Sequence, residues 1–331
     1  MTPGWSLDGI GAGAARWPGA TAVAARTAWE GRVGMGEAII GRRGVLRAGA
    51  GIGAAAALGV LGAPSASALP VYTAYYNGVS IEYVWSGAPL SRSIVFVHGG
   101  CHGSWCWGPY MQYLAACGWN CYSLNWFNHG GSLDQASSVF AARSIAAVTH
   151  EIRQTVLFCG SPAPLLVGHS MGALAAQRYA GQYSVRGLAL ICPVAPQEVG
   201  NAYVPIPVDP AVPWGPPPFA DAQQMFFGGF TLASAQAYYA RLEPESARAV
   251  LEATGRAGVS VSSLAVRARA PRITVIAAQN DTLTPPSVTA AVAAYYQCQY
   301  VQLSGQSHDG PLIGPNWTLG AQSLWAFAET T

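Results

Sequence analysis

A chain of 331 residues that is 51% hydrophobic and only 10% charged can bury a large core, and its surface must be built mainly from Gly, Ser, Thr and Asn rather than ions. All 17 basic residues are arginine, which excludes Schiff-base or other lysine-dependent catalysis. No basic run longer than Arg42-Arg43 occurs, so the sequence carries no footprint for nucleic acid.

In chain order, residues 36–68 come first as a functional unit. Arg42-Arg43 precede a mildly apolar stretch (48–63), which is followed by the small-x-small triplet Ala66-Ser67-Ala68. That order predicts a twin-arginine-type export leader cut after Ala68, leaving no stable membrane anchor and an exported, periplasmic or extracellular protein. Residues 1–34 read as an extension, and Met35 reads as the better start. Without 1–68 the chain holds 11 arginines against 12 acidic residues, a net charge near −1, so the basic pI of about 8.2 belongs to the leader. All seven cysteines lie beyond it. Cys101/Cys106 and Cys117/Cys121 are close enough in sequence for disulfides that export would permit. Cys159 and Cys192 read as packed thiols, and no spacing reads as a metal site.

The rest of the chain alternates. Residues 71–86 predict a β-hairpin around Asn77-Gly78, and 93–100 a short apolar strand ending in glycine. A helix over 108–118, a strand over 119–126 and a long helix over 136–158 follow. The strand ending in Ser170 leads into a helix at 171–181, then a strand at 187–194. After 195–265 the alternation resumes with strands at 272–279 and 299–305 around a helix at 286–296, and a closing helix spans 317–328. Strands alternating with helices predict an α/β architecture, a mostly parallel sheet with helices on both faces. Residues 195–265, opening with the proline-rich 203–219, read as a helical cap inserted after the sixth strand. The expected division is 1–68 leader, 69–194 first core part, 195–265 cap and 266–331 second core part.

Gly168-His169-Ser170-Met171-Gly172 joins a strand to a helix through a turn so tight that side chains two before and two after the serine would collide. A serine hydroxyl becomes a nucleophile only with a base in reach and an acid to orient that base. Asp281 follows the 272–279 strand and His308 follows the last strand. In chain order Ser170, Asp281 and His308 make that set. Gly99-Gly100 end an early strand, where the N–H of Gly100, with that of Met171, can form an oxyanion hole. His98 reads as a brace for its loop, and His102 and His129 as structural groups or pocket borders. His150 reads as a surface group, His169 as too close in sequence to turn back on Ser170, Asp209 and Asp221 as solvated, Asp309 as pointing elsewhere, and Asp134 as a weaker rival for the acid.

With these residues in view, 72–328 resembles the α/β-hydrolase family. VHGGCHGSWCW (97–107) is similar to the loop of plant methylesterases and hydroxynitrile lyases, and GHSMGA to the nucleophile elbow of esterases and lipases. The resemblance implies an α/β-hydrolase fold with Ser170 as nucleophile, His308 as base, Asp281 as its orienter and no cofactor. The loop Asn125–Ser132 departs from the Asp-x-x-Gly-x-Gly-x-Ser of many relatives, which points to a different substrate shape. Lysine-dependent cyanohydrin cleavage is disfavoured because lysine is absent. The expected reaction is hydrolysis of a neutral, small-molecule carboxylic ester through an acyl-serine. Cofactor-free perhydrolase or haloperoxidase-like chemistry and an inactive binding scaffold are the alternatives. Cys101, Trp126, Phe127, Trp214, Met225, Phe226 and Phe227 are the candidate pocket residues, and the sequence leaves the oligomeric state open.

Overall fold

The computed structural model describes residues 68–201 and 204–331; the leader before Ala68 and the two alternative start methionines lie outside them. The hairpin is β1 (Val71–Tyr76) and β2 (Val79–Val84), turned by Asn77 at φ 48° and Gly78 at φ 87°. Two consecutive left-handed residues match the right-handed twist of the flanking strands, which is why Asn-Gly stands there. Then come β3 (Ser93–Val97), α1 (Gly108–Ala116), β4 (Asn120–Leu124), α2 (Ser137–Ala141), α3 (Thr149–Cys159), β5 (Leu165–His169), α4 (Ser170–Ala180) and β6 (Gly187–Ile191). Four short helices follow: α5 (Phe219–Met225), α6 (Leu232–Tyr239), α7 (Ala247–Ala253) and α8 (Ser263–Arg269). The chain closes with β7 (Ile273–Ala278), α9 (Pro286–Tyr296), β8 (Gln299–Leu303), α10 (Gly310–Ile313) and α11 (Trp317–Ala328).

All eight strands form one sheet in the order β1-β2-β4-β3-β5-β6-β7-β8. The first two pairings are antiparallel and the other five parallel. Alternate residues of the central strands serve different cores. Val95, Val97 and Leu166 pack with α3, α4 and α9, whereas Ile94, Phe96, Leu165 and Val167 pack with α1 and α11. A strand buried on both faces needs apolar side chains along its length, and 94–97 and 165–167 supply them.

The expected single helix over 136–158 is instead α2, a 3₁₀ turn (Ile145–Val148) and α3. Ser144 caps the turn by accepting from the Ala146 N–H at 3.1 Å. Glu252 of α7 accepts from the Ile145 N–H at 2.8 Å and the Ser144 hydroxyl at 3.0 Å. A buried carboxylate from a hundred residues away thus takes a backbone donor, the Ile145 N–H, that a continuous helix would have used. The disulfides that sequence proximity would allow are not formed: all seven cysteines are free thiols. Cys121 lies within β4 with its Sγ directed at the Trp119 carbonyl at 3.6 Å, and Cys106 is buried in the α1 and α11 core. Among the described residues no helix is long and apolar enough to cross a membrane.

Candidate active site

The β5–α4 turn presents Ser170 at φ 53°, a left-handed conformation that costs a non-glycine residue on the order of 1–3 kcal/mol. The flanking glycines make the turn possible. A Cβ at Gly168 would stand 2.5 Å from the Gly172 carbonyl oxygen, and one at Gly172 only 2.1 Å from that of His98. Met171 lies in the first turn of α4, where an N–H has no intrahelical acceptor. The Gly100 N–H makes no hydrogen bond to the described residues. A Cβ at Gly100 would meet the Met171 sulfur at 2.7 Å, so glycine leaves room there for the Met171 side chain. Both N–H groups are therefore available to an oxygen in the cavity they border.

His308 follows β8 and Asp281 follows β7, and His308 Nδ1 lies 2.8 Å from Asp281 Oδ2. Asp281 Oδ1 accepts from the backbone N–H groups of Leu283 and Thr284, each at 2.9 Å. The Thr284 hydroxyl lies 2.8 Å from Asp281 Oδ2 and 3.0 Å from the Cys192 carbonyl. Burial disfavours both charges, but the pair's mutual attraction and hydrogen bond, with the Thr284 hydrogen bonds on Asp281, together outweigh it: the His308 imidazolium is favoured, and the Asp281 carboxyl is held below its usual range. His308 Nε2 is buried without a hydrogen bond among the described residues, and its ring lines the same cavity as Ser170. Catalytic hydrogen bonds are often loose before substrate enters.

That cavity is small and partly open, and Ser170, Met171, Gly100 and His308 all border it. Of the sequence candidates Cys101, Trp214, Met225 and Phe226 line it, joined by Val194, Val204, Ile206, Val250, Ala253 and Leu283. No Asp, Glu or Arg is among the lining residues. Three candidates lie elsewhere. Trp126 stacks on His98 at 4.9 Å, Phe127 lies under the Arg143 guanidinium at 5.1 Å, and Phe227 packs against Phe230 at 5.5 Å, so all three are core side chains. The 125–132 loop does not border the cavity either. Asn125 Oδ1 accepts from the Ser104 N–H at 2.7 Å and occupies the space a Cβ at Gly130 would need.

The histidines resolve as follows. His98 braces its loop: Nε2 accepts from the Trp126 N–H at 3.1 Å, and Nδ1 lies 2.8 Å from the Gly99 carbonyl. His169 Nε2 lies 3.1 Å from the His308 carbonyl, and burial followed by the neighbouring His308 lowers its pKa to about 3, so the ring is neutral. His150, Asp134, Asp209 and Asp221 are exposed. Donor atoms of His169, Cys192 and His308 lie within 4.8 Å of one another. Ligating an ion there requires the Cys192 thiolate, which burial and the nearby Asp281 oppose.

Glu245 was not legible as a site residue. It is buried, and its Oε2 accepts from the Cys101 N–H at 3.2 Å while Oε1 accepts from the Ser246 N–H at 2.7 Å. The Cys101 carbonyl in turn accepts from the Glu243 N–H at 2.9 Å. These bonds hold Cys101 at φ 63°, directly after Gly100.

Comparison with known proteins agrees with this architecture. Part of Methylesterase 9 from Arabidopsis thaliana is 30% identical over 98 residues, 28% of this chain; the chain spans only 38% of that relative's length. Among solved structures, an esterase from Rhodococcus sp. superposes with a TM-score of 0.61 at 19% identity, over 78% of this chain and 98% of its own. An Arabidopsis methylesterase superposes with a TM-score of 0.55 at 19% identity, over 71% and 98%. The model of the family described as "Alpha/beta hydrolase family" matches residues 94–318, from β3 into α11, and the chain belongs to that family.

Proposed function

We propose that this protein is an exported serine esterase that hydrolyses neutral carboxylic esters through an acyl-serine intermediate. The observation that carries the reading is a strained, left-handed Ser170 sharing a largely apolar cavity, lined by no Asp, Glu or Arg, with His308 of the buried His308–Asp281 pair. In this reading His308 Nε2 takes the Ser170 proton as Oγ attacks the ester carbonyl, and the Gly100 and Met171 N–H groups receive the oxyanion. His308 then protonates the leaving alcohol and later activates the water that frees the acid. Asp281 holds Nδ1 protonated, so that Nε2 is the basic nitrogen. The leader over 36–68 supports export.

The test is a panel of p-nitrophenyl esters together with a fluorophosphonate probe. Labelling at Ser170 is expected, with uncharged esters turned over at least about tenfold faster than esters bearing a carboxylate, since a charge buried in an apolar cavity costs more than that factor. A protein that neither labels nor hydrolyses is not an esterase.

The base must be neutral to act. Burial alone would lower its pKa, but Asp281 raises it above the ordinary value near 6.5. Activity is therefore lost as pH falls, with the acid limb of kcat/KM centred above pH 6.5; a pH–rate profile checks this. Glu245→Ala removes the acceptor that holds Cys101, and about a 10–100-fold fall in kcat with little change in KM is expected from steady-state kinetics.

A further inference from the structure

A second imidazole–carboxylate pair lies beside the first and takes no part in the reaction described above. His102, two residues after Gly100, is 1% exposed, and Asp309, one residue after His308, is 0% exposed. His102 Nε2 lies 2.9 Å from Asp309 Oδ2, and His102 Nδ1 lies 2.7 Å from the Gly100 carbonyl oxygen. A carbonyl can only accept, so Nδ1 must carry a proton. A neutral ring would then turn the bare lone pair of Nε2 toward a carboxylate oxygen. One further proton is required between them. Burial opposes charge on both groups, but their mutual attraction and hydrogen bond, with the Gly100 carbonyl on His102 and the neighbouring His169 and His308 on Asp309, together raise His102 and lower Asp309, so the proton belongs on the ring.

The connections run through the whole site. His102 ties the carbonyl of Gly100, whose N–H faces the cavity, to Asp309. The adjoining His308 carbonyl is met by His169 Nε2 at 3.1 Å, and His169 directly precedes Ser170. We propose that His102 and Asp309 are positioning residues, an imidazolium–carboxylate clamp that fixes the oxyanion loop at a set distance from the loop carrying His308. The proposal rests on the esterase reading for its kinetic consequence but not for its charge state. The titratable groups facing the clamp are His169, whose Nε2 lies 3.9 Å from Asp309 Oδ1, then His308 with Asp281, and the thiols of Cys101, Cys106 and Cys192. Trp105 stacks on the ring of His102 at 5.2 Å, and Phe226 meets it edge-on at 5.7 Å.

Two measurements on the full chain test this. With ¹⁵N-histidine-labelled protein at pH 8, both ring nitrogens of His102, assigned by their loss in His102→Gln, should resonate as protonated; in Asp309→Asn the ring should revert to a neutral tautomer. A neutral His102 ring in the unmodified protein overturns the proposal, whether or not any ester is hydrolysed. Kinetically, His102→Gln leaves the Asp309 carboxylate unpaired near His308. The acid limb of kcat/KM should move up by roughly half to one pH unit, and kcat should fall about tenfold with KM within about threefold. The double variant His102→Gln/Asp309→Asn should return the acid limb toward its original position while kcat stays low. A purely structural pair would leave the acid limb in place, and an unmoved limb or an unchanged kcat in the single variant overturns the positioning role. Failure of the esterase reading is seen separately, as absence of labelling at Ser170.

Discussion

Ser170→Ala lowers kcat for p-nitrophenyl esters by about 10⁵–10⁶-fold and abolishes fluorophosphonate labelling, while KM stays within a few-fold. The size of the effect follows from how such groups act. Without Oγ there is no covalent intermediate, so the base has no proton to take and the pair at 281 and 308 is idle; only the oxyanion donors remain to help a bound water. The variant should fold normally. Alanine meets the same strain at φ 53° that serine does, and the lost hydroxyl makes no hydrogen bond to the described residues. Thermal denaturation within a few degrees of the unmodified protein, together with the kinetics, separates lost chemistry from lost structure. A variant retaining a tenth of the activity would remove Ser170 from the nucleophile role.

Gly172→Ala is the opposite case, a single methyl group that attacks the fold at the site. Its Cβ would stand 2.1 Å from the His98 carbonyl oxygen and 2.5 Å from that of Val97. Both are backbone atoms, and Val97 belongs to β3 in the middle of the sheet, so neither can move aside as a flexible side chain would. A destabilisation of about 3 kcal/mol or more is expected, read as a fall in melting temperature of roughly 6–12 °C. Because the clash pushes α4 away from β3, the Met171 and Gly100 N–H groups also separate, and activity should fall below what the unfolded fraction explains. Gly100→Ala is milder, since the atoms it meets, at 2.7 and 2.8 Å, are the end of the Met171 side chain.

The sheet and the placement of Ser170, Asp281 and His308 are legible in the sequence because their signals are local. Apolar runs bounded by glycine gave the central strands, and Asn77-Gly78 gave the hairpin. Ser170, Asp281 and His308 each stand just beyond a strand, where a parallel sheet brings its carboxyl ends together. What failed was what depends on distant partners. The break in 136–158 comes from Glu252, which no periodicity within that segment can reveal. Trp126, Phe127 and Phe227 are core rather than lining: aromatics next to a site are ambiguous in sequence between wall and core, and only packing separates the two. The aliphatic lining residues Val204, Ile206 and Val250 carry no chemical signal at all. Asp309 has the weakest sequence signal relative to its place in the site: next to His308 in the chain, it turns to a histidine about two hundred residues earlier.

The bonds from Glu243 and Glu245 to Cys101 join the α5–α8 segment to the core beside the oxyanion donors, and the Glu243 carboxylate also accepts from the Gly130 N–H at 3.0 Å. Raising that roof as a rigid body would pull Cys101, and Gly100 with it, out of place. Trimming the side chains that line the cavity would widen it with these bonds in place, whereas shifting the α5–α8 segment would break them.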